Sequence, residues 1–202
     1  GAAVLGPTAV RGTILAWAGA AAGPLLVIED CEDLVLEGLH FTTAGSPGEG
    51  DVTTVNTMLD VRSGRRLWLE DLGAAWLAGD GSAGDQGVCT TFVRIAAQAE
   101  QVTVRAVALQ QVAGEGVWVD GARGVELSLF IAADSRALLR VTGGEVAWLG
   151  GGGGNSGGRY GEATAAVQLT AGRLYMAGLE LQDSAPTRTL SVAGQVVLAG
   201  VN

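Results

Sequence analysis

The feature that most constrains this chain is a short apolar segment, a polar or glycine-containing turn and a second apolar segment, recurring along its length. In the first unit, segment 26–28 passes through residues 29–33 into segment 34–36. The second segments of the seven units begin at Leu34, Leu67, Val102, Val125, Val146, Leu174 and Val196, with spacings of 33, 35, 23, 21, 28 and 22 residues. A minimum period of a little over twenty residues predicts stacked repeats.

Each unit is completed by a third short strand after a tight turn. These strands are 39–41, 107–109, 129–131 and 179–181. Gly38, Gly178 and Gly200 each lie four positions after the start of a second segment, where a left-handed residue would turn the chain. No unit can bury its own inward Leu and Val, so we expect the units to stack. The sequence predicts an all-β, single-stranded parallel β-helix of about seven to eight coils, forming one domain over residues 1–202.

Two other repeat or strand architectures fit less well. A leucine-rich repeat has this period but needs a fixed Leu-x-x-Leu-x-Leu with Asn, and a β-sandwich does not explain the recurrence of three strands. Segment 25–41, LLVIEDCEDLVLEGLHF, resembles the right-handed β-helix superfamily of pectate-lyase-like proteins. The resemblance covers nearly the whole chain, as a repeat pattern rather than a catalytic motif. It implies right-handed coils and a polysaccharide groove on the side of the first strands.

Composition narrows the class of partner. The 33 Gly are accompanied by only 4 Pro, which excludes collagen. All 12 cations are Arg against 21 acidic residues, giving a net charge of −9. Such a chain repels nucleic acid and anionic membranes, and stretch 12–28 is too interrupted to span a bilayer. Cys31 and Cys89 allow either one disulfide or two free thiols, and thus leave the compartment open.

Three insertions separate a third strand from the next first strand: residues 42–57, 73–91 and 150–165. Equivalent turns of a solenoid stack, so we expect these loops to overhang the sheet of first strands. The outward positions of that sheet are Val27, Asp60, Arg94, Trp118, Arg140, Gln168 and Ser191. Asp60, Arg94, Trp118, Arg140 and Gln168 are the candidate carbohydrate-binding residues, because an aromatic ring beside Arg and a carboxylate can bind an acidic sugar. The alternative is a solvated face in which Asp60 pairs with Arg94 and Trp118 is covered.

A second outward column is less polar: Val35, Trp68, Thr103, Glu126, Ala147, Tyr175 and Val197. Exposed apolar side chains in a row would form an apolar surface patch larger than a monomer usually shows. We therefore predict an interface with a second copy or another subunit, with Val35, Trp68, Tyr175 and Val197 as the contact residues.

Catalytic and metal-binding patterns are weak. The one histidine, His40, falls at an outward position, as a surface or loop-covered side chain with no nucleophile nearby. The acidic clusters at 29–33 and 80–85, with Asp51 and Asp60, could supply calcium ligands, yet no EF-hand or calcium repeat is present. Asp60 is the one carboxylate of the first outward column, where hydrolases need a pair. The run 150–154 lacks the Lys-Ser/Thr of a phosphate loop and is interpreted as a flexible or partner-ordered loop. No catalytic residue, metal site or cofactor is predicted.

The two ends complete the expectation. Residues 1–24 are expected to form an imperfect first coil or an N-terminal cap, and no polar or helical cap follows Gly200, so further chain or another subunit would cover that edge. The leading hypothesis is a non-enzymatic structural or adhesive module of an extracellular, phage-tail-like or other multi-subunit assembly, at a virion or cell surface. The alternative is a protein that binds or cleaves an acidic glycan as a lyase or hydrolase.

Overall fold

The computed structural model describes residues 13–17, 23–43, 57–74, 89–110, 112–133, 135–154, 165–182 and 190–202. This part of the chain is all β-strand and turn, without a helix, as the sequence predicts. The strands are β1 (Thr13–Trp17), β2 (Pro24–Ile28), β3 (Cys31–Glu32), β4 (Val35–Glu37), β5 (Leu39–Thr43), β6 (Thr57–Glu70), β7 (Gly73–Ala74), β8 (Cys89–Arg105), β9 (Ala108–Gln110), β10 (Val112–Asp120), β11 (Arg123–Ala133), β12 (Ala137–Gly143), β13 (Glu145–Gly154), β14 (Val167–Leu169), β15 (Arg173–Gln182), β16 (Leu190–Val192) and β17 (Gln195–Val201).

The strands pair in parallel along three ladders. The first ladder runs β2, β6, β8, β10, β12, β14, β16. The second runs β4, β6, β8, β11, β13, β15, β17. The third runs β1, β5, β7, β9, β11, β13, β15, β17. Long strands such as β6 and β13 take part in two ladders, so the chain passes from one ladder to the next without a long connection.

Rows of Leu, Val and Ile in register build the core. In the first ladder, one buried row is Ile28, Val61, Ile95, Val119, Val141 and Leu169. Aromatic side chains fill wider places: Phe41 meets Phe92 edge-on at 5.5 Å between ring centroids, and Phe130 meets Trp148 at 5.3 Å. Burying such rows is the main source of stability in a sheet whose units cannot bury themselves.

One corner of the chain repeats with the same backbone conformation. The residue four positions after the start of each second segment has a φ between 50° and 71° in all seven units: Gly38, Asp71, Ala106, Leu129, Gly150, Gly178 and Gly200. The three glycines predicted for this corner are confirmed. Three of the seven positions carry a side chain in the left-handed region, which costs about 1–2 kcal/mol for each L-residue.

The glycine run 150–154 is not a loop, and that prediction is wrong. Residues 150–154 belong to β13, and residues 151–154 pair with β11 on one side and β15 on the other. A Cβ on Gly151 would lie 2.2 Å from the carbonyl oxygen of Phe130, and one on Gly152 would lie 1.9 Å from that of Glu180. Glycine is needed here because the neighbouring backbones approach too closely for a side chain.

The predicted insertions are therefore shorter than expected. Strand β5 extends to Thr43, β7 occupies residues 73–74, β8 begins at Cys89 and β13 ends at Gly154. The remaining insertion residues, 44–56, 75–88 and 155–164, lie outside the described part of the chain, as do 1–12 and 18–22 of the predicted first coil. Within residues 1–24, β1 pairs with β5 and β2 begins at Pro24. Both cysteines are free thiols.

Candidate functional site

The predicted outward column of the first ladder lies in register. Paired positions run from Val27 to Asp60, Arg94, Trp118, Arg140, Gln168 and Ser191 without a slip. We call this set the first outer row. Neighbouring strands of a sheet lie about 4.8 Å apart, so side chains at adjacent positions of the row are close enough to interact.

Trp118 lies between two guanidinium groups. The central guanidinium carbon of Arg94, on β8, is 4.9 Å from the ring centroid, and that of Arg140, on β12, is 5.1 Å away. A cation over an indole ring is attracted by the negative face of the ring, by about 0.5–2 kcal/mol depending on solvation. The two ring faces on which a sugar could stack are therefore occupied by arginine.

The arginine on the β8 side is held by two carboxylates. Arg94 Nη2 donates to Asp120 Oδ2 at 2.7 Å, and Nη1 lies 3.7 Å from Asp60 Oδ1. Asp60 is 6% exposed and also accepts from Arg62 Nε at 3.0 Å. The predicted pairing of Asp60 with Arg94 is confirmed, and Arg62 and Asp120 join it.

Asp120 also connects to the indole through Thr142. The Thr142 hydroxyl donates to Asp120 Oδ1 at 2.9 Å and accepts from Trp118 Nε1 at 3.1 Å. The hydrogen bond from Arg94 is the main reason that the pKa of Asp120 lies below its ordinary value, and the bond from Thr142 adds to it. Trp118, Thr142, Asp120 and Arg94 are thus linked by successive hydrogen bonds, and the guanidinium group of Arg94 returns to the indole ring.

The arginine on the β12 side is held by Glu115, a residue that the sequence analysis missed. Glu115 is 5% exposed. Its Oε1 accepts from Arg140 Nη1 at 3.2 Å and from Arg136 Nη2 at 3.4 Å, and its Oε2 accepts from Thr91 Oγ1 at 3.1 Å. The available signal was its place two residues before Val117, opposite Thr91 in the ladder.

Among the residues that the structure describes, the charges around the first outer row balance. Four arginines, Arg62, Arg94, Arg136 and Arg140, face four acids, Glu29, Asp60, Glu115 and Asp120. A site for an acidic ligand needs cations that are not already neutralised. The remaining candidate, Gln168, donates from Nε2 to the backbone oxygen of Ala165 at 3.1 Å, so its amide is also engaged within the chain.

The second predicted column is also in register, and we call it the second outer row. It runs Val35, Trp68, Thr103, Glu126, Ala147, Tyr175, Val197. Val35 is 57% exposed, Trp68 41%, Tyr175 41% and Val197 59%. The apolar surface forms two patches at the ends of the row, because Thr103, Glu126 and Ala147 lie between them.

His40 is buried, although its row faces outward. It pairs in register with Ile14 and Gly73, and the residue is 5% exposed, so the interpretation as a surface side chain is wrong. A Cβ on Gly73 would lie 2.9 Å from His40 Nδ1, so the absent side chain at 73 leaves space for the imidazole.

The acidic turn at 29–33 is paired with arginine. Arg66 Nη2 donates to Asp33 Oδ2 at 2.8 Å and to Glu32 Oε2 at 3.2 Å, and the hydrogen bond from Arg66 lowers the pKa of Asp33. The Ser63 hydroxyl donates to Asp30 Oδ1 at 2.8 Å. No three of the His, Cys, Asp and Glu residues in the described ranges are grouped so that they could hold a metal ion.

Comparisons with known proteins add no family to this geometry. No protein-family model, curated protein or solved structure matches the chain. In the described segments, no helix is long and apolar enough to cross a membrane.

Proposed function

We propose that the chain is a right-handed parallel β-helix module with a structural or adhesive, non-enzymatic role in a multi-subunit assembly at a cell or virion surface. The β-helix is supported by three parallel ladders to which the chain returns unit after unit, and by the left-handed residue at the same corner of each unit. A solenoid of this kind offers long flat faces, which suit repeated contacts with other subunits.

One observation carries the proposal: polar groups on the first outer row are paired with one another, whereas apolar groups on the second outer row are exposed. Catalysis requires a carboxylate or imidazole that can reach a substrate. Asp60 and Glu115 are buried and each contacts two arginines, and His40 is buried. Trp68 and Tyr175, by contrast, are each 41% exposed, and exposed aromatic side chains of this kind are typical of protein contact surfaces.

The test asks whether the chain cleaves polysaccharides. The purified chain is incubated with uronic-acid polysaccharides, and products are sought as new reducing ends and as unsaturated sugars. We expect no turnover. Turnover that is lost in Asp60→Asn and retained in Asp30→Asn, an exposed acid of the neighbouring turn, would contradict the non-enzymatic proposal.

A second candidate is binding, or less readily cleavage, of an acidic glycan along the first outer row. The partial exposure of the Arg136 and Arg140 side chains, 39% and 37%, favours it. If this candidate holds, binding on a glycan array is lost in Trp118→Ala, because the indole ring holds the neighbouring guanidinium groups of Arg94 and Arg140 in place. Trp68→Ala, on the other face, is the matched control and should bind as the wild type does.

A further inference from the structure

The second outer row has a symmetric order of side chains. Counted from either end it reads Val, an aromatic residue and a small residue, with Glu126 at the centre. Trp68 and Tyr175 are four ladder steps apart, about 19 Å at 4.8 Å per step. A two-fold axis through Glu126, lying in the face and along the strands, would place Trp68 of one copy on Tyr175 of another.

We propose that two copies of this chain associate through the second outer row, face to face, with their ladders running in opposite directions about this axis. The inference rests on the proposed function, because it names the partner and the contact of an assembling module. Trp68 meets Tyr175 of the other copy twice, Val35 meets Val197 twice, and the two copies of Glu126 face each other at the axis. An isologous contact of this kind uses one patch of each subunit and closes as a dimer.

The surface around Tyr175 has the shape that this contact needs. A depression of about 370 Å³ lies beside the Tyr175 ring, lined in part by Gly124, Ala147, Arg173 and Val197. It exists because Gly124 and Ala147 are small where neighbouring units carry longer side chains. The projecting indole of Trp68, 41% exposed, is the largest exposed group on the face and would fill this depression in the partner.

Charges on the face permit the contact but limit its strength. The axis brings Arg66 near the Arg173 position of the other copy, yet each is already paired: Arg66 with Asp33 and Glu32, Arg173 with Glu145 at 3.3 Å. The like-charged pair left over is Glu126 with its own copy. Like charges facing each other across an interface oppose association.

The size of the face predicts a weak dimer. Six ladder steps of about 4.8 Å by five residues of about 3.3 Å cover roughly 500 Å² on each copy. Stable complexes bury about 800 Å² per partner. We therefore expect a dimer that forms at micromolar or higher concentration and that strengthens when the glutamate pair is removed.

The experiment is a charge exchange followed by sedimentation. Trp68→Glu and Tyr175→Arg are purified separately, and circular dichroism and urea midpoints establish that both are folded. Each alone should be monomeric where the wild type dimerises. An equimolar mixture should regain the dimer, because one contact becomes an ion pair while the other keeps the native indole and phenol. Val27→Glu, a half-exposed valine on the first outer row, should dimerise as the wild type does.

One further variant tests the glutamate pair at the axis. Glu126→Gln should lower the dissociation constant at least several-fold, and this readout does not depend on the large substitutions. The proposed dimer is overturned if the wild type stays monomeric at all concentrations or if the mixture of the two variants stays monomeric. It is also overturned if Trp68→Glu or Tyr175→Arg alone dimerises as strongly as the wild type. In the last case the assembling role itself would stand, whereas turnover of a polysaccharide would overturn that role without bearing on the dimer.

Discussion

Replacing Glu115 by glutamine should destabilise the fold, because its carboxylate neutralises Arg140 of the first outer row and Arg136 beside it. Arg140 and Arg136 donate to it at 3.2 and 3.4 Å, and Thr91 at 3.1 Å. Hydrogen bonds to a charged group are worth about 1.5–3 kcal/mol each, and removing one partner of a buried pair costs about 3–5 kcal/mol. The arginine side chains are 39% and 37% exposed, and water can replace part of the lost interaction. We therefore expect a loss of about 2 kcal/mol in the free energy of unfolding.

The assay is equilibrium unfolding in urea at neutral pH, followed by tryptophan fluorescence. Glu115→Gln should lower the midpoint without changing the slope, since the surface exposed on unfolding stays the same. Glu37→Gln, an exposed carboxylate on β4, is the control and should stay within about 0.5 kcal/mol of the wild type. An unchanged midpoint for Glu115→Gln would show that the paired charges contribute nothing net, and would refute the reasoning.

Three further predictions use the same unfolding assay. Ala106→Gly should raise the free energy of unfolding by roughly 0.5 kcal/mol, because a φ of 51° strains a residue that has a side chain. Ala199→Gly, in a strand, should lower it, and a change in the same direction for both variants would contradict this reasoning. Gly152→Ala should lower the free energy of unfolding by about 3 kcal/mol or more, because its Cβ would lie 1.9 Å from a carbonyl oxygen. Gly178→Ala, which has open space and a φ of 64°, should lower it by about 1 kcal/mol. Similar losses for the two variants would disprove the close approach at Gly152. The pKa of Asp120 is lowered in the folded state, so its contribution to stability is present above the ordinary pKa of 3.8 and is lost as the pH falls through the lower folded value. Asp120→Asn should therefore make the free energy of unfolding fall less steeply at acid pH. An unchanged pH dependence in this variant would count against the prediction.

Much of the register was readable from the sequence. Both outer rows were predicted residue by residue, because the two-residue period of a strand and the spacing of the apolar anchors leave few alternatives. The pairing of Asp60 with Arg94 followed from their adjacent places in a row. The left-handed corner was found only where it carries glycine. Ala106 and Leu129 adopt the same φ, but local preference alone would not put them there, and stacking on neighbouring units overrides it.

The run 150–154 shows where sequence reasoning fails. Consecutive glycines read as a flexible loop because glycine weakens an isolated strand. In the fold, residues 151–154 lie between β11 and β15, whose backbones pair with them and leave no space for side chains. Glu115 and Asp120 were missed for a related reason: they reach the site from positions outside the central row, and their partners lie more than twenty residues away.

By itself, the sequence determined the all-β class, the period of the repeat and the residues that share each outer row, since these depend on spacing and on the alternation of strand side chains. Only the tertiary structure decided what the rows do. On the first outer row it surrounded Trp118 with two arginines and balanced their charge with Glu115 and Asp120; on the second it left Trp68 and Tyr175 uncovered. These outcomes depend on distances between side chains from units that are far apart in the chain. Such distances cannot be read from the spacing of residues along one strand.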